Sequence, residues 1–178
     1  LYEFEELEKR LSTCTELTEE SQRDYQRALS LYGGNLLQGS EEEWALSRSA
    51  TLHASFLKLV YQYLTLLKAA ERYNEIIDVC RAALDVDAFD ETLHLQLMNA
   101  LVKTCRNHEA LMQYKHVTNL HFRYLGVQPP EGIQEFYKQI MQAGDTLEMN
   151  IDAIREELQE YGEVSGAFVC EYAVFKEI

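Results

Sequence analysis

Apolar residues recur every three or four positions along most of this chain, the spacing of amphipathic helices. Residues 2–11 (YEFEELEKRL) predict a short helix, and 19–31 (EESQRDYQRALSL) a second, with Tyr25, Ala28 and Leu29 on one side. Gly33, Gly34 and the polar GSEEE of 39–43 bracket a loop around Leu36 and Leu37. Ser40 followed by Glu43 has the spacing of a capping box, after which a long helix runs from about Glu42 to Lys68. Further helices are predicted over 72–85, 90–104, 107–125 and 131–143, with a charged helix over 147–161. The final stretch, GAFVCEYAVFKEI, is β-rich.

Both prolines of the chain lie in YLGVQPP, residues 124–130. Gly126 can close a helix in the left-handed conformation, because it has no Cβ to clash. Pro129 holds Gln128 extended, and Pro130 suits a first helical position, where its missing N–H costs nothing. Glu131 then falls in the first turn, where the helix dipole favours negative charge. The stretch predicts one sharp corner between two helices.

The sequence also repeats. Shifted by 34 residues, LLKAAERYNEII (66–77) falls on ALVKTCRNHEAL (100–111), pairing Leu67 with Leu101, Arg72 with Arg106 and Glu75 with Glu109. The apolar set continues with Cys80 on Tyr114 and Ala83 on Val117. Thirty-four residues is the period of the tetratricopeptide repeat, a helix–turn–helix unit that stacks into a superhelix. The predicted class is all-α: tetratricopeptide-like helical hairpins stacked as a short right-handed solenoid, with a short β-rich piece at the C-terminal end.

Composition narrows the function. At 178 residues and 47% apolar content the chain can bury a sizeable core. No run approaches the roughly 20 apolar residues that span a bilayer. The chain opens at Leu1 rather than Met, which reads as a piece of a larger protein. Cys14, Cys80, Cys105 and Cys170 lie far apart without a CxxC pair, and Cys80 and Cys105 fall on apolar helical positions. Buried free thiols are the expectation for those two, as in a reducing cytosol.

The formal net charge is −14, and no cluster of Lys and Arg of the kind that grips a duplex is present. Charge is unevenly placed. Residues 145–178 carry nine acids against two bases, whereas residues 92–128 carry Glu109 alone against Lys103, Arg106, Lys115 and Arg123, with four of the five histidines. That basic stretch, with His108 and His116, is the candidate docking face for an acidic partner, the chain's own acidic end among them; histidine charge would make the contact pH-sensitive. A solvated face without acids is the plainer reading.

Chemistry is hard to find. Gly33 and Gly34 lack the strand, later glycine and lysine of a phosphate loop. His108, His116 and His121 are spaced by eight and five, not by the three or four that place helical histidines on one metal. No catalytic residue, cofactor or metal ligand is expected. Trp44 and Arg48 share a helix face and read as a packed tryptophan beside a guanidinium. Tyr61, Tyr63, Tyr73, Tyr114, Phe122 and Tyr124 read mostly as packing between helices, with some available to line a concave groove.

With the repeats placed, the chain resembles the bacterial transcriptional activator domain, the tetratricopeptide-like module of SARP-type regulators. YGGNLLQGSEEEWALSR (32–48) is similar to the family's opening, through Tyr32, Gly33, Leu37, Trp44 and Arg48. DAFDETLHLQLMNAL (87–101) resembles its next segment through Glu91, Leu97 and Met98, and HEALMQY (108–114) does so through Ala110 and Tyr114. YLGVQPP matches the exit through Gly126 and Pro129. Together these cover about residues 20–142. Departures touch turns: Ala88 stands where the family has proline, Cys105 where it has glycine, and Pro130 where it has a capping serine.

The resemblance implies a non-catalytic, cytoplasmic regulatory module, with DNA bound by a separate N-terminal domain. The implied partners are that domain, the transcription machinery or a second copy, with neither nucleic acid nor membrane bound directly. The domain reading is 1–18 as N-terminal helix or linker, 19–143 as the module, and 144–178 as an acidic helix opening a truncated further domain. The rival readings are a stand-alone helical-repeat adaptor holding a peptide in its concave face, and an enzyme fragment whose chemistry lies beyond Ile178.

Overall fold

The computed structural model describes residues 2–34 and 43–142. Two compact units divide the chain, Leu1–Tyr137 and Lys138–Ile178, and the description below concerns the first, together with helical residues 138–142. Every described element is a helix. They are α1 (Tyr2–Leu11), α2 (Glu19–Leu31), α3 (Glu43–Ala69), α4 (Tyr73–Leu84), α5 (Glu91–Lys103) and α6 (Asn107–Leu125), followed by a helical segment over 131–142, here α7. Leu37, Ser40, the acidic helix and the β-rich end lie outside the described residues.

From α1 to α6 each helix packs on the next in order, and α1 also reaches α3. Side-chain caps mark where α2 and α5 begin. Thr18 caps α2: its hydroxyl accepts from the Ser21 N–H at 3.1 Å, while the Ser21 hydroxyl accepts from the Thr18 N–H at 2.8 Å. Asp90 caps α5 by accepting from the Leu93 N–H at 2.8 Å, and its second carboxylate oxygen accepts the Tyr61 hydroxyl of α3. One aspartate thus starts a helix and fixes it to a neighbour.

α3 is the central rod, 27 residues long and so about 40 Å at ~1.5 Å per residue. Its buried positions Leu52, Phe56, Leu59, Val60, Tyr63, Leu64 and Leu67 follow the three-and-four spacing. Phe56 stacks on Tyr32 (centroids 4.5 Å apart) and Tyr63 on Tyr25 (4.6 Å, planes at 7°), which ties α2 to the rod. Phe4, Leu7 and Leu11 of α1 are buried as well. Burying each such side chain contributes about 1.5–3 kcal/mol. The Tyr25 and Tyr63 hydroxyls are buried without a hydrogen-bond partner, and burial pushes the Tyr25 phenol up to about 12.

The 34-residue repeat is visible in backbone detail. α3 and α5 end in the same motif: the Arg72 and Arg106 N–H groups donate to Leu67 and Leu101 at 2.9 and 2.8 Å. Glu71 and Cys105 donate to Lys68 and Val102 at 3.1 and 3.0 Å, with φ of 55° and 59° at the left-handed residue. Cys105 is therefore exposed in a turn, not buried on an apolar helical position, and among the described cysteines only Cys80 is buried. Its αL geometry accounts for the glycine expected there.

Gly126 closes α6 in the left-handed conformation (φ 68°), donating to the Phe122 carbonyl at 3.1 Å. Pro129 is buried, and its carbonyl accepts from the Gln134 side chain at 2.7 Å. The Pro130 carbonyl accepts the Gln134 N–H at 3.2 Å, so Pro130 occupies the cap, one residue before the first helical position. Either place suits a residue without an N–H. A Cβ on Gly132 would lie 2.7 Å from the Glu91 carboxylate, the flexible end of an α5 side chain that would have to shift.

Candidate partner-binding face

Most family-motif residues serve the scaffold. Tyr32 lies in the aromatic stack, and its hydroxyl donates to His53 Nδ1 at 3.4 Å; His53 Nε2 donates to Asp87 at 3.1 Å. Leu97, Met98 and Ala110 are buried, and Tyr114 stacks on Tyr137 with centroids 4.1 Å apart. Gly33 has open space around it, and the left-handed glycine of the pair is Gly34 (φ 100°). Trp44 is 62% exposed, and the Arg48 guanidinium engages Glu5 of α1. Of the aromatic set read mostly as packing, Phe122 and Tyr124 are exposed, although Tyr124 meets Phe89 edge-on.

The basic stretch divides into two roles. Arg106 opens α6 and donates to both oxygens of Glu109 at 2.6 Å, and Arg81 of α4 reaches Glu109 at 3.0 Å. The Arg106 guanidinium, against some opposing burial, holds the Glu109 carboxyl below its usual range. The Arg106–Glu109 pair closes the first turn of α6, and Arg81 on the same carboxylate bolts that turn to α4. The preceding repeat has the same device: Arg72 engages Glu75 and donates to Gln22 of α2 at 2.9 Å, while Gln22 donates to Glu75 at 2.8 Å. The paired Arg and Glu spacing in the two repeats was the available signal.

Lys103 is exposed at the end of α5. His108, Lys115, His116 and Arg123 are exposed on α6, where helical spacing gathers them with Met112, Asn119 and Phe122 on one face. Ala110, Val117 and His121 form the opposite, buried face. The three histidines of α6 therefore do not converge: His121 Nδ1 donates inward to the Val117 carbonyl at 3.0 Å. Among the described residues no group of three or more His, Cys, Asp or Glu is placed to hold a metal.

Beside this face, between α4, α5 and α6, runs a groove of about 430 Å³ lined by Leu84, Ala88, Leu97 and Gln113, with Arg81, Asp85 and His116 also on its walls. Its floor is His94, 1% exposed. His94 Nε2 donates to the Ala88 carbonyl at 2.9 Å, and Nδ1 accepts from the Gln113 amide at 2.9 Å. Both ring nitrogens are used by the neutral imidazole, and burial lowers the pKa. Sequence reasoning missed this lock, because His94 stands on an apolar helical position with partners 6 and 19 residues away.

Hairpins on a 34-residue period, joined by repeated caps and ion pairs, define a tetratricopeptide-like helical-repeat module. The model of one protein family, the bacterial transcriptional activator domain, matches residues 1–141, and the chain belongs to that family. No curated protein matches the chain. Among the described residues no helix is long and apolar enough to cross a membrane.

Proposed function

We propose that this chain is a non-catalytic regulatory module of a SARP-like bacterial regulator, acting in the cytoplasm through intramolecular or protein–protein contacts. DNA is bound by a separate N-terminal domain. One observation carries this reading: in a chain of net charge −14, seven of the eight described arginines are already paired with carboxylates. Duplex binding needs several unpaired cations on one surface.

The chain alone should not retard duplex DNA at ~150 mM salt, where cationic binders still do so. Fused behind a heterologous DNA-binding domain, it should raise transcription of a reporter bearing that domain's site. Retardation by the chain alone, or a folded but silent fusion, would overturn the assignment.

A further inference from the structure

Among the described residues, Arg123 is the one arginine without an ion pair, and Lys115 on the same helix has none either. Both stand on the exposed face of α6. The only acid of that helix, Glu109, is bound to Arg106 and Arg81 and sits off this face. A cationic strip on a body this acidic creates a local reversal of field, which guides an acidic ligand to that place and repels it elsewhere. The strip is not purely charged. Phe122 is 73% exposed and Met112 48%, on the same side of the helix as Lys115. The groove walled by His116 and floored by His94, with Leu84 and Leu97 in its lining, adjoins its edge and offers room for an apolar side chain.

We propose that the outer face of α6, through Lys115, Arg123, Phe122 and Met112, docks an acidic amphipathic segment of a partner protein. This rests on the reading of the chain as an interaction module and names the chemistry of what it contacts. Carboxylates of the segment meet Lys115 and Arg123, while its apolar residues cover Phe122 and Met112. The cations select the partner and set the association rate, and the apolar pair limits dissociation.

The test is fluorescence anisotropy of the full chain with a labelled helix-forming peptide carrying glutamates on one face and leucine and phenylalanine on the other. A counterpart with lysines in place of the glutamates is the control. The acidic peptide should bind and the lysine peptide should not, with affinity falling between ~0.1 and ~1 M salt as the screening length contracts from about 10 to about 3 Å. The double variant Lys115→Glu/Arg123→Glu should lose binding about tenfold or more. The double variant Lys58→Glu/Lys68→Glu, which changes net charge equally at exposed positions of α3, should stay within about twofold. Phe122→Ala should weaken binding at every salt concentration, and the milder Lys115→Gln/Arg123→Gln gives a second measure if charge reversal disturbs folding. No binding of the acidic peptide, equal binding of the lysine peptide, or equal losses in the two charge-reversed pairs would overturn the proposal. The reporter fusion separates it from the broader reading: activation retained without peptide binding removes this docking face alone, whereas a silent fusion removes the activation role.

Discussion

α4 and α6 occupy equivalent places in successive repeats, yet they present opposite surfaces. Four positions of α4 and its C-cap face outward: Asn74, Asp78, Arg81, Ala82 and the cap Asp85. Thirty-four residues on, the outward positions are His108, Met112, Lys115, His116 and Asn119, all exposed likewise. The frame beneath is the same in both, down to the left-handed turn residue and the Arg–Glu pair that opens each helix. What differs is that the two outward acids, Asp78 and the cap residue Asp85, are replaced by uncharged Met112 and Asn119. Packing and capping constrain the inner positions of a repeat, while the outer positions are free to take the charge a partner requires.

The comparison breaks most visibly in the core. Leu67 and Leu101 hold equivalent, fully buried places at the ends of α3 and α5. Leu67→Ala and Leu101→Ala should each cost about 2–5 kcal/mol in urea unfolding. If the two costs differ by more than about 2 kcal/mol, the repeats are not energetically equivalent.

The second difference between the repeats is acid sensitivity. His94 of α5 stands where α3 has Val60, both buried. Its folded-state pKa is depressed, mainly by burial, so below about 6.5 the unfolded chain binds a proton that the folded chain resists. Stability should therefore be full above that pH and fall as pH drops through it, by at most about 1.4 kcal/mol per pH unit from this group. His94→Val should flatten the profile of melting temperature between pH 7 and the histidine's depressed range; an unchanged slope would place the acid sensitivity elsewhere.

The smallest effects lie in the turns. Cys105→Gly and Glu71→Gly should each raise stability by roughly 0.5–1 kcal/mol, because glycine meets the left-handed conformation without strain. Gly126→Val should lower it by roughly 1 kcal/mol, with no neighbouring atom to add a clash. Thermal melts would read both, and a destabilised Cys105→Gly would mean that the exposed thiol makes a contribution its geometry does not reveal.

Much of the scaffold was legible because periodicity and punctuation act locally. The bounds of α1, α2 and α6 follow from apolar spacing, and Gly126 announces its own conformation. Tyr32, Leu97, Met98 and Ala110, which carry the family resemblance, are buried. Exposure was harder to read. Trp44 and Phe122 lie on helical apolar patterns, and spacing alone does not say whether another element covers a face. Cys105 continues the apolar period of α5 in sequence, but the left-handed turn sends it outward. The links from His53 to Asp87 and from Arg81 to Glu109 join segments 34 and 28 residues apart, beyond any local rule.

The aromatic arrangement has an optical consequence. The chain's single tryptophan, Trp44, is largely in water, so its emission reports on the surface at the start of α3 and is a poor monitor of the interior. The buried, nearly parallel pair Tyr25 and Tyr63 sits where α2 meets α3, and its near-ultraviolet circular dichroism disappears when those two helices part. Following both signals through one denaturation curve distinguishes fraying at one end of the rod from loss of the whole stack.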